Sequence, residues 1–293
     1  MKGKKMKVKA AAKINLMLDV LGVLPSGYHS LFMIMQSVSC YDEITVSRTK
    51  TNKIVILTDD KKIPTDEKNI AYKAAKAFFD YNNIKDIGIE IKIDKAIPIA
   101  AGLAGGSADG AGVIFILDKL YKTNLQTSVL CKIGEKVGAD VPFSLTGGTS
   151  LCMNTGGVIA PLPAIKDCYI VLCKPPMEVS TNNAYKAIDE AKRIRHTDKN
   201  AMLYAMANGD YEIMCKAINN VFEQVIEVPK RPYIKTIMRK CGADATCMSG
   251  SGPTVYGIFS SYDNAQKCET ELKKHFDEVC FTIPIKCGIE VIE

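Results

Sequence analysis

Apolar positions along this chain follow two spacings, one typical of strands and one typical of helices. Short apolar or alternating runs between turn residues predict strands. These strands lie at 7–10, 14–21, 43–47, 53–57, 87–93, 168–173, 245–248, 255–259 and 279–285. Apolar residues three and four positions apart predict helices at 69–81, 107–121, 125–137, 183–193, 199–206, 211–218, 233–241 and 263–275. Together with an antiparallel sheet in the second half, these elements predict an α+β fold.

A stretch rich in glycine and proline, at 156–166, predicts a boundary between two domains. The length of 293 residues fits this division, since a domain takes roughly 150 residues. We therefore expect an N-terminal domain at 1–158 and a C-terminal, ferredoxin-like α+β domain at 159–293. Hydrophobic residues make up 47% of the chain and charged residues 24%, which excludes a disordered protein.

The charge does not indicate a nucleic-acid partner. The chain has 38 Lys+Arg against 32 Asp+Glu, a net charge of +6. Much of the excess comes from five lysines near the start, at positions 2, 4, 5, 7 and 9. The remainder is close to balanced, which fits a small anionic substrate better than a polyanion.

The cysteines and the apolar stretches indicate a cytoplasmic protein. The 11 cysteines are odd in number and include no C-x-x-C pair, so neither a disulfide framework nor a zinc site is expected. Lys13 and Asp19 interrupt the only stretch near the start where a signal peptide could have its apolar core. The longest uncharged stretch, at 141–165, contains glycine pairs and prolines, so no membrane-spanning helix is expected.

The most informative segment is a glycine loop at 98–108 that leads into the predicted helix at 107–121. Glycines let successive N–H groups converge on an anion, and a helix N-terminus adds unpaired N–H groups and a positive dipole. We expect a phosphate site formed by Pro98, Ile99, Ala100, Ala101, Gly102, Leu103, Ala104, Gly105, Gly106, Ser107 and Ala108. Ser107 is expected to cap the helix or to bind a phosphate oxygen.

The glycine spacing excludes two well-known phosphate loops. Glycines at 102, 105, 106, 110 and 112 do not form G-x-G-x-x-G, and the chain has no G-x-x-x-x-G-K-[ST]. From the loop alone, a segment that only caps a core helix remains an equal alternative.

Four further segments accompany the glycine loop in a fixed order. They are A-K-I-N-L at 12–16, G-Y-H at 27–29, G-A-D-V-P-F at 138–143 and S-G-S-G at 249–252. In this order the chain resembles the GHMP kinases over nearly its whole length. The first three segments resemble the branch of that superfamily that acts on a CDP-linked alcohol in the non-mevalonate route to isoprenoids. The resemblance implies the GHMP kinase fold, with two domains and the active site in the cleft between them.

The resemblance also implies a reaction, the transfer of the γ-phosphoryl group of ATP to the 2-hydroxyl of CDP-methylerythritol. Asp140 matches the catalytic base and Lys13 the catalytic cation beside it. Pro142 is expected to hold Val141 extended, which would place Asp140 at the break after a helix. Taken singly, Asp140 is better explained as a turn or cap residue. Lys13 has the alternative of a solvated lysine at the end of a strand, which the small or apolar residues 10–12 and 14 beside it disfavour.

The substrate contacts follow from the same resemblance. Asn15 is expected to share a sheet face with Lys13 and to bind the erythritol hydroxyls. Tyr28 and His29 are expected to hold cytosine, with Tyr185 as a second wall. Taken singly, Tyr28 is a loop aromatic and His29 a surface residue. The turn formed by Ser249, Gly250, Ser251 and Gly252 is expected to touch phosphates or to close the site.

The chain departs from the family pattern at Ala100, Ala104 and Ala108, where glycine or a second serine is usual. A phosphate or metal contact is therefore expected of Ser107. We expect no resident metal site, Mg²⁺ carried by ATP, and a monomer or homodimer. One alternative is a sibling GHMP kinase for mevalonate or homoserine, which the G-Y-H segment disfavours. Another is a nucleotide-binding regulator without catalysis, which the presence of Lys13 and Asp140 disfavours.

Overall fold

The computed structural model describes residues 4–165 and 167–292. Its strands are β1 (Lys5–Val23), β2 (His29–Arg48), β3 (Ile54–Thr58), β4 (Ile89–Asp94), β5 (Thr149–Asn154), β6 (Val158–Pro161), β7 (Tyr169–Lys174), β8 (Asn219–Asn220), β9 (Ala245–Met248), β10 (Val255–Phe259), β11 (Glu278–Thr282) and β12 (Ile289–Val291). Its helices are α1 (Ile70–Tyr81), α2 (Gly105–Tyr121), α3 (Thr127–Glu135), α4 (Val141–Thr146), α5 (Thr181–Glu190), α6 (Lys199–Asn208), α7 (Tyr211–Ala217), α8 (Arg231–Lys240) and α9 (Tyr262–Lys273), with a 3₁₀ turn at Val221–Gln224.

The centre of the larger sheet is a long antiparallel hairpin of β1 and β2, joined by the turn at 24–28. The strand order is β12-β1-β2-β4-β3, with β5 and β6 extending from β2 and β8 beside β1. The prediction of two separate strands at 7–10 and 14–21 was wrong, because β1 is continuous. Register shifts at 11–12, 15–17 and 20–22 mark bulges in the pairing without ending the strand.

Helix α2 packs closely onto this sheet and onto α1, and small residues allow the close approach. A Cβ atom added at Gly110 would lie 2.9 Å from Ile70 Cγ2, and one at Gly112 would lie 3.1 Å from Ile44 Cγ1. Any larger side chain at these positions would push the helix away. The N-terminus of α2, which carries the glycine loop, is thereby held next to β1.

The second half of the chain forms a four-stranded antiparallel sheet in the order β11-β7-β10-β9. Its core joins β7 and β10 to α8 and α9 through Val171, Phe259, Ile234 and Leu272. The strands and these two helices follow the chain order of the β-α-β-β-α-β motif. The expectation of an α+β fold is confirmed.

The chain returns to the larger sheet after the second one. Strand β12 pairs with β1, and β8 lies parallel to β1 at Met17 and Leu18. The division at residue 158 stays a prediction. Within 4–165 and 167–292, no helix is long and apolar enough to cross a membrane.

Candidate active site

A cleft of about 1230 Å³ lies between the larger sheet, the glycine loop and the second half of the chain. Most of the residues singled out in the sequence line it: Lys13, Asn15, Tyr28, His29, Pro98, Ile99, Ala100, Ala101, Gly102, Ala104, Gly105, Gly106, Ser107, Asp140, Tyr185, Gly250, Ser251 and Gly252. Three of them lie behind its wall, namely Leu103, Ala108 and Ser249, which are buried. These three residues belong to segments that were predicted to contact phosphates through the backbone, so their contact with a ligand stays a prediction.

Strand β1 positions Lys13 and Asn15 on one face of the larger sheet, as their spacing predicts. Lys13 Nζ donates to Asn15 Oδ1 at 2.7 Å and to the carbonyl oxygen of Gly102 at 3.0 Å. The backbone N–H of Lys13 donates to Leu103 O at 3.1 Å, so the glycine loop runs along β1. The amine is therefore fixed between the strand and the loop, and Lys13 is not a solvated strand-end lysine.

Burial determines the electrostatics of the Lys13 amine. The residue is only 4% exposed, and desolvation lowers its pKa from the ordinary value for lysine. The carboxylate of Asp140 acts in the opposite direction and raises this pKa, as does Cys152 to a lesser extent. Lys13 and Asp140 thus share one electrostatic environment, although no direct ion pair joins them in the described part of the chain.

Asp140 lies at the break between α3 and α4, as expected, but for a different reason. Val141 is not extended; it is the first residue of α4, with Pro142 in the first turn, where proline is well tolerated. Asp140 is the N-cap residue by position, yet its side chain makes no capping hydrogen bond. The carboxylate therefore faces the cleft without the structural role that a cap aspartate has.

The glycine loop ends in a helix N-terminus with free donors. The first backbone hydrogen bond of α2 runs from Ala108 N–H to Ala104 O at 2.9 Å. The N–H groups of Gly105, Gly106 and Ser107 thus have no partner within the helix, which is the arrangement that binds anions.

The structure corrects the expectation that Ser107 caps α2. Ala104 is the N-cap residue, in a left-handed conformation with φ 58° and ψ 29°, and Ser107 lies within the first turn. The Ser107 hydroxyl faces the segment before Asp140, since a Cβ atom added at Gly138 would lie 3.8 Å from Oγ. A hydroxyl at this point borders both the phosphate site and the carboxylate.

The turn at 249–252, here called the C-terminal turn, closes over the glycine loop. Ser249 Oγ donates to Gly102 O at 2.9 Å, and the N–H of Gly250 donates to Asn15 Oδ1 at 3.0 Å. The loop and the turn are so close that a Cβ atom on Gly102 would lie 2.2 Å from Ser249 O. The C-terminal turn therefore donates hydrogen bonds to the same two oxygens, Asn15 Oδ1 and Gly102 O, that accept from the Lys13 amine.

Four aromatic rings line one part of the cleft. The rings of His29 and Tyr185 are stacked, with centroids 4.5 Å apart and planes at 17°. Phe222 packs edge-on against Tyr185, with centroids 5.2 Å apart, while Tyr28 is 69% exposed. Because His29 and Tyr185 are already in contact, no base fits between those two rings.

Asp189 and Lys95 were missed in the sequence. The Asp189 carboxylate contacts His29 Nε2 at 2.8 Å and so holds that ring. Lys95 lines the cleft near Gly105 and forms ion pairs with Asp42 and, at 2.8 Å, with Asp109. Burial raises the pKa of Asp109 to about 7. No local motif marks these residues, because only the fold brings them together.

A rim of the cleft at 62–70 was also missed. Lys62, Lys68, Asn69 and Ile70 line it at the start of α1. Asn69 caps that helix, accepting from Ala71 N–H at 2.8 Å. The periodicity predicted the helix, but it carried no signal that the residues before it border a site.

Two family models match the chain. The model of the GHMP kinases N terminal domain matches residues 69–148, and that of the GHMP kinases C terminal domain matches residues 202–278. A 4-diphosphocytidyl-2-C-methyl-D-erythritol kinase from Clostridium beijerinckii is 42% identical over 279 residues, covering 94% of this chain and 99% of the relative. Another from Clostridium perfringens is 44% identical over 271 residues, covering 92% and 93%.

Solved structures agree with these matches. A crystal structure of 4-(cytidine 5'-diphospho)-2C-methyl-D-erythritol kinase has a TM-score of 0.79 at 27% identity, covering 95% of this chain and 99% of that one. A homoserine kinase from Cytophaga hutchinsonii has the same TM-score of 0.79 at 21% identity, covering 98% and 97%, and shows the fold alone. With both family models and relatives above 40% identity over nearly the whole length, the chain belongs to the GHMP kinases, within the family of the 4-diphosphocytidyl-2-C-methyl-D-erythritol kinases.

Proposed function

We propose that the chain transfers the γ-phosphoryl group of ATP to the 2-hydroxyl of CDP-methylerythritol, giving ADP and the 2-phosphate. Membership of its family makes it an ATP-dependent small-molecule kinase. The observation that carries the proposal is that Lys13, Asp140 and the free N–H groups of α2 line one cleft. The curated relatives, which bear the name of this activity, support the substrate.

In this mechanism the N–H groups of Gly105, Gly106 and Ser107 bind the phosphates of ATP. The acceptor hydroxyl lies between Lys13 and Asp140. Its proton passes to the Asp140 carboxylate as its oxygen forms a bond to the γ-phosphorus, and the bond to the ADP oxygen breaks. The Lys13 ammonium compensates negative charge on the transferred group. Asp140 suits the role of base because its carboxylate serves no cap.

Asn15 is proposed to bind the acceptor through its amide nitrogen. Its Oδ1 accepts from two donors, Lys13 Nζ and Gly250 N–H, which fixes the orientation of the amide. The buried Nδ2 then has no protein partner in the described part of the chain. An unpaired buried donor is costly unless a ligand oxygen accepts from it.

Tyr28 and His29 are proposed to recognise cytosine. The exposed ring of Tyr28 offers a stacking face, and base–aromatic stacking contributes roughly 1–3 kcal/mol. His29 is oriented by Asp189 and by Tyr185, so its remaining nitrogen has a defined direction for a hydrogen bond to the base edge. Tyr185 thus supports His29 and becomes a second wall only if His29 moves away.

The residues behind the cleft are proposed to position it. Ser249 holds the carbonyl of Gly102, Leu103 pairs with the backbone of Lys13, and Ala108 closes the first turn of α2. Ser251 and Gly252 complete the C-terminal turn at the wall of the cleft.

The residues present fit Mg²⁺ that arrives with ATP. No group of three or more His, Cys, Asp or Glu side chains that could hold a metal ion occurs within 4–165 and 167–292. The Ser107 hydroxyl would be a hard oxygen ligand next to the phosphate site, and phosphate oxygens would supply the rest. When bound, the ion neutralises phosphate charge.

We also propose a cytoplasmic location, which the 11 free thiols support.

A titration with CDP tests the recognition of cytosine. We expect CDP to perturb the NMR signals of Tyr28 and His29, and Tyr28→Ala to weaken binding about 10-fold or more, the loss of one stacked base. Tyr204→Ala is a matched control, because Tyr204 is also exposed at 57% but does not line the cleft. Equal CDP affinity in Tyr28→Ala, Tyr204→Ala and the unchanged chain would contradict the cytosine site and favour a free alcohol as substrate.

A further inference from the structure

The two acceptors of the Lys13 amine are both shared with the C-terminal turn. Asn15 Oδ1 accepts from Lys13 Nζ and from Gly250 N–H, at 2.7 and 3.0 Å. Gly102 O accepts from Lys13 Nζ and from Ser249 Oγ, at 3.0 and 2.9 Å. The position of the amine therefore depends on where the turn lies, although the turn is more than 200 residues away in sequence.

One buried side chain fixes that turn. Asn220 Nδ2 donates to Gly250 O in the turn at 2.7 Å and to Met248 O just before the turn at 2.8 Å. Asn220 Oδ1 accepts from Phe222 N–H at 3.0 Å, and the residue is 2% exposed. Every donor of the amide is used, and the bonds converge on the residues that flank Ser249.

Asn220 is itself anchored to the strand that carries Lys13. It belongs to β8, which pairs in parallel with β1, where Asn220 lies opposite Leu18. The amide thus links β1 to the C-terminal turn, and the turn links back to Lys13 and Asn15. Such a closed set of hydrogen bonds fixes a side chain more tightly than any single bond.

We propose that Asn220 is a positioning residue for phosphoryl transfer, which holds the C-terminal turn so that Asn15 and Gly102 aim the Lys13 amine into the cleft. This inference rests on the proposed role of Lys13. Asn220 does not line the cleft, so its effect passes through the turn and not through a ligand.

The effect on rate follows from geometry. A displacement of about 1 Å in a group that stabilises the transition state costs on the order of 100-fold in rate. Without the two donors of Asn220, the carbonyls of Met248 and Gly250 lose their partners and the turn shifts. Lys13 then loses hydrogen bonds that favour its charged form, while burial continues to disfavour that form.

The experiment compares Asn220→Leu, a substitution of similar shape without donors, with Asn220→Asp, which replaces the donors by oxygen. The matched control is Asn208→Leu, since Asn208 is exposed at the end of α6, outside the cleft, and its Nδ2 donates to Tyr204 O at 2.8 Å. We expect kcat to fall about 10- to 100-fold in both Asn220 variants, with KM for ATP little changed. The control should keep the original kcat.

A pH profile separates positioning from mere stability. The charged groups that act on the Lys13 amine are Asp140 and, when ionised, Cys152 on β5. Neither changes in Asn220→Leu, which adds no charge, so weaker hydrogen bonding should move the alkaline limb of kcat to lower pH in that variant. A loss of kcat without movement of this limb would overturn the inference, and so would an unchanged kcat. Failure of both variants to fold would assign Asn220 to stability and overturn it as well.

Lys13→Met distinguishes this inference from the proposed function. If Lys13→Met keeps the original turnover, the role of Lys13 is wrong and the inference falls with it. If Lys13→Met is inactive while Asn220→Leu keeps the original kcat, the positioning role of Asn220 is wrong and the proposed function stands.

Discussion

At the scale of single residues, Lys13 is a charged group held where the protein interior disfavours charge. Its pKa is lowered by burial, and the nearby carboxylate of Asp140 offsets this only in part. Functional sites often have such strained electrostatics, because the arrangement that serves the reaction differs from the most stable one. Stability and activity should therefore respond in opposite directions to the loss of this amine.

Lys13→Met is expected to raise the free energy of unfolding at neutral pH by about 1 kcal/mol while abolishing turnover. The acceptors Asn15 Oδ1 and Gly102 O keep their second donors, so no buried oxygen is left without a partner. Urea unfolding measures the first effect, and ADP release measures the second.

The stability advantage of Lys13→Met over the original chain should shrink at high pH. The pKa of Lys13 is lower in the folded state than the 10.5 of the unfolded chain, so between the two values the unfolded state binds more protons. Stability of the original chain therefore rises with pH across this window. A Met variant that is less stable than the original chain at neutral pH would contradict the account.

Asp140→Ala should separate catalysis from capping. We expect kcat to fall about 10²- to 10⁴-fold, the range for loss of a general base, with little change in melting temperature. Asp210→Ala is the matched contrast, because Asp210 Oδ1 accepts from Ile213 N–H at 2.9 Å and caps α7. That variant should lose about 1 kcal/mol of stability and keep its kcat. A lower melting temperature of Asp140→Ala with an unchanged kcat would give Asp140 a structural role and contradict its role as base.

The sequence predicted those contacts of the site that lie close together along the chain. Lys13 and Asn15 share a sheet face because they are two residues apart on a strand. Asp189 beside His29, and Asn220 beside Gly250, depend on pairings across the whole fold. No periodicity or local spacing carries such information, so these residues appear only in three dimensions.

At the scale of elements, the glycine loop works because α2 begins where it does. The predicted start at residue 107 was two residues late, and this shift makes Gly105 and Gly106 part of the first turn. Their N–H groups therefore project along the helix axis toward the cleft. The predicted helices agree with the structure to within one turn, but α4 was missed because its six residues are too short to show a helical period. Most of β2 was missed because its apolar run has no period.

Gly102→Ala should damage the site more than its backbone strain alone explains. Gly102 has φ +73° and Gly209, at the end of α6, has φ +65°, so alanine at either brings left-handed strain of about 1 kcal/mol. Only at Gly102 would the new Cβ meet backbone, at Ser249 O, while nothing lies within 4 Å at Gly209. We expect Gly102→Ala to lose a further ~2 kcal/mol and most of its activity, as measured by thermal unfolding and ADP release. Equal losses in the two variants would mean that the loop and the C-terminal turn are not in contact.

At the scale of the whole molecule, the cleft is assembled from both halves of the chain. The larger sheet supplies Lys13, and the second half supplies the C-terminal turn and Tyr185. Strands β8 and β12 return to β1, so the halves are joined by backbone pairing as well as by side chains. The overall fold followed from the order of motifs, but these returning strands are too short for sequence patterns to detect.

The central claim is that this cleft phosphorylates an alcohol bearing a cytidine diphosphate group. ADP release should be measured with Mg-ATP and, in parallel, CDP-methylerythritol, mevalonate and homoserine. We predict that, of the three acceptors, only CDP-methylerythritol is turned over, and that Asp140→Ala loses this turnover. Turnover of mevalonate or homoserine, with none for the cytidine-linked alcohol, would contradict the account.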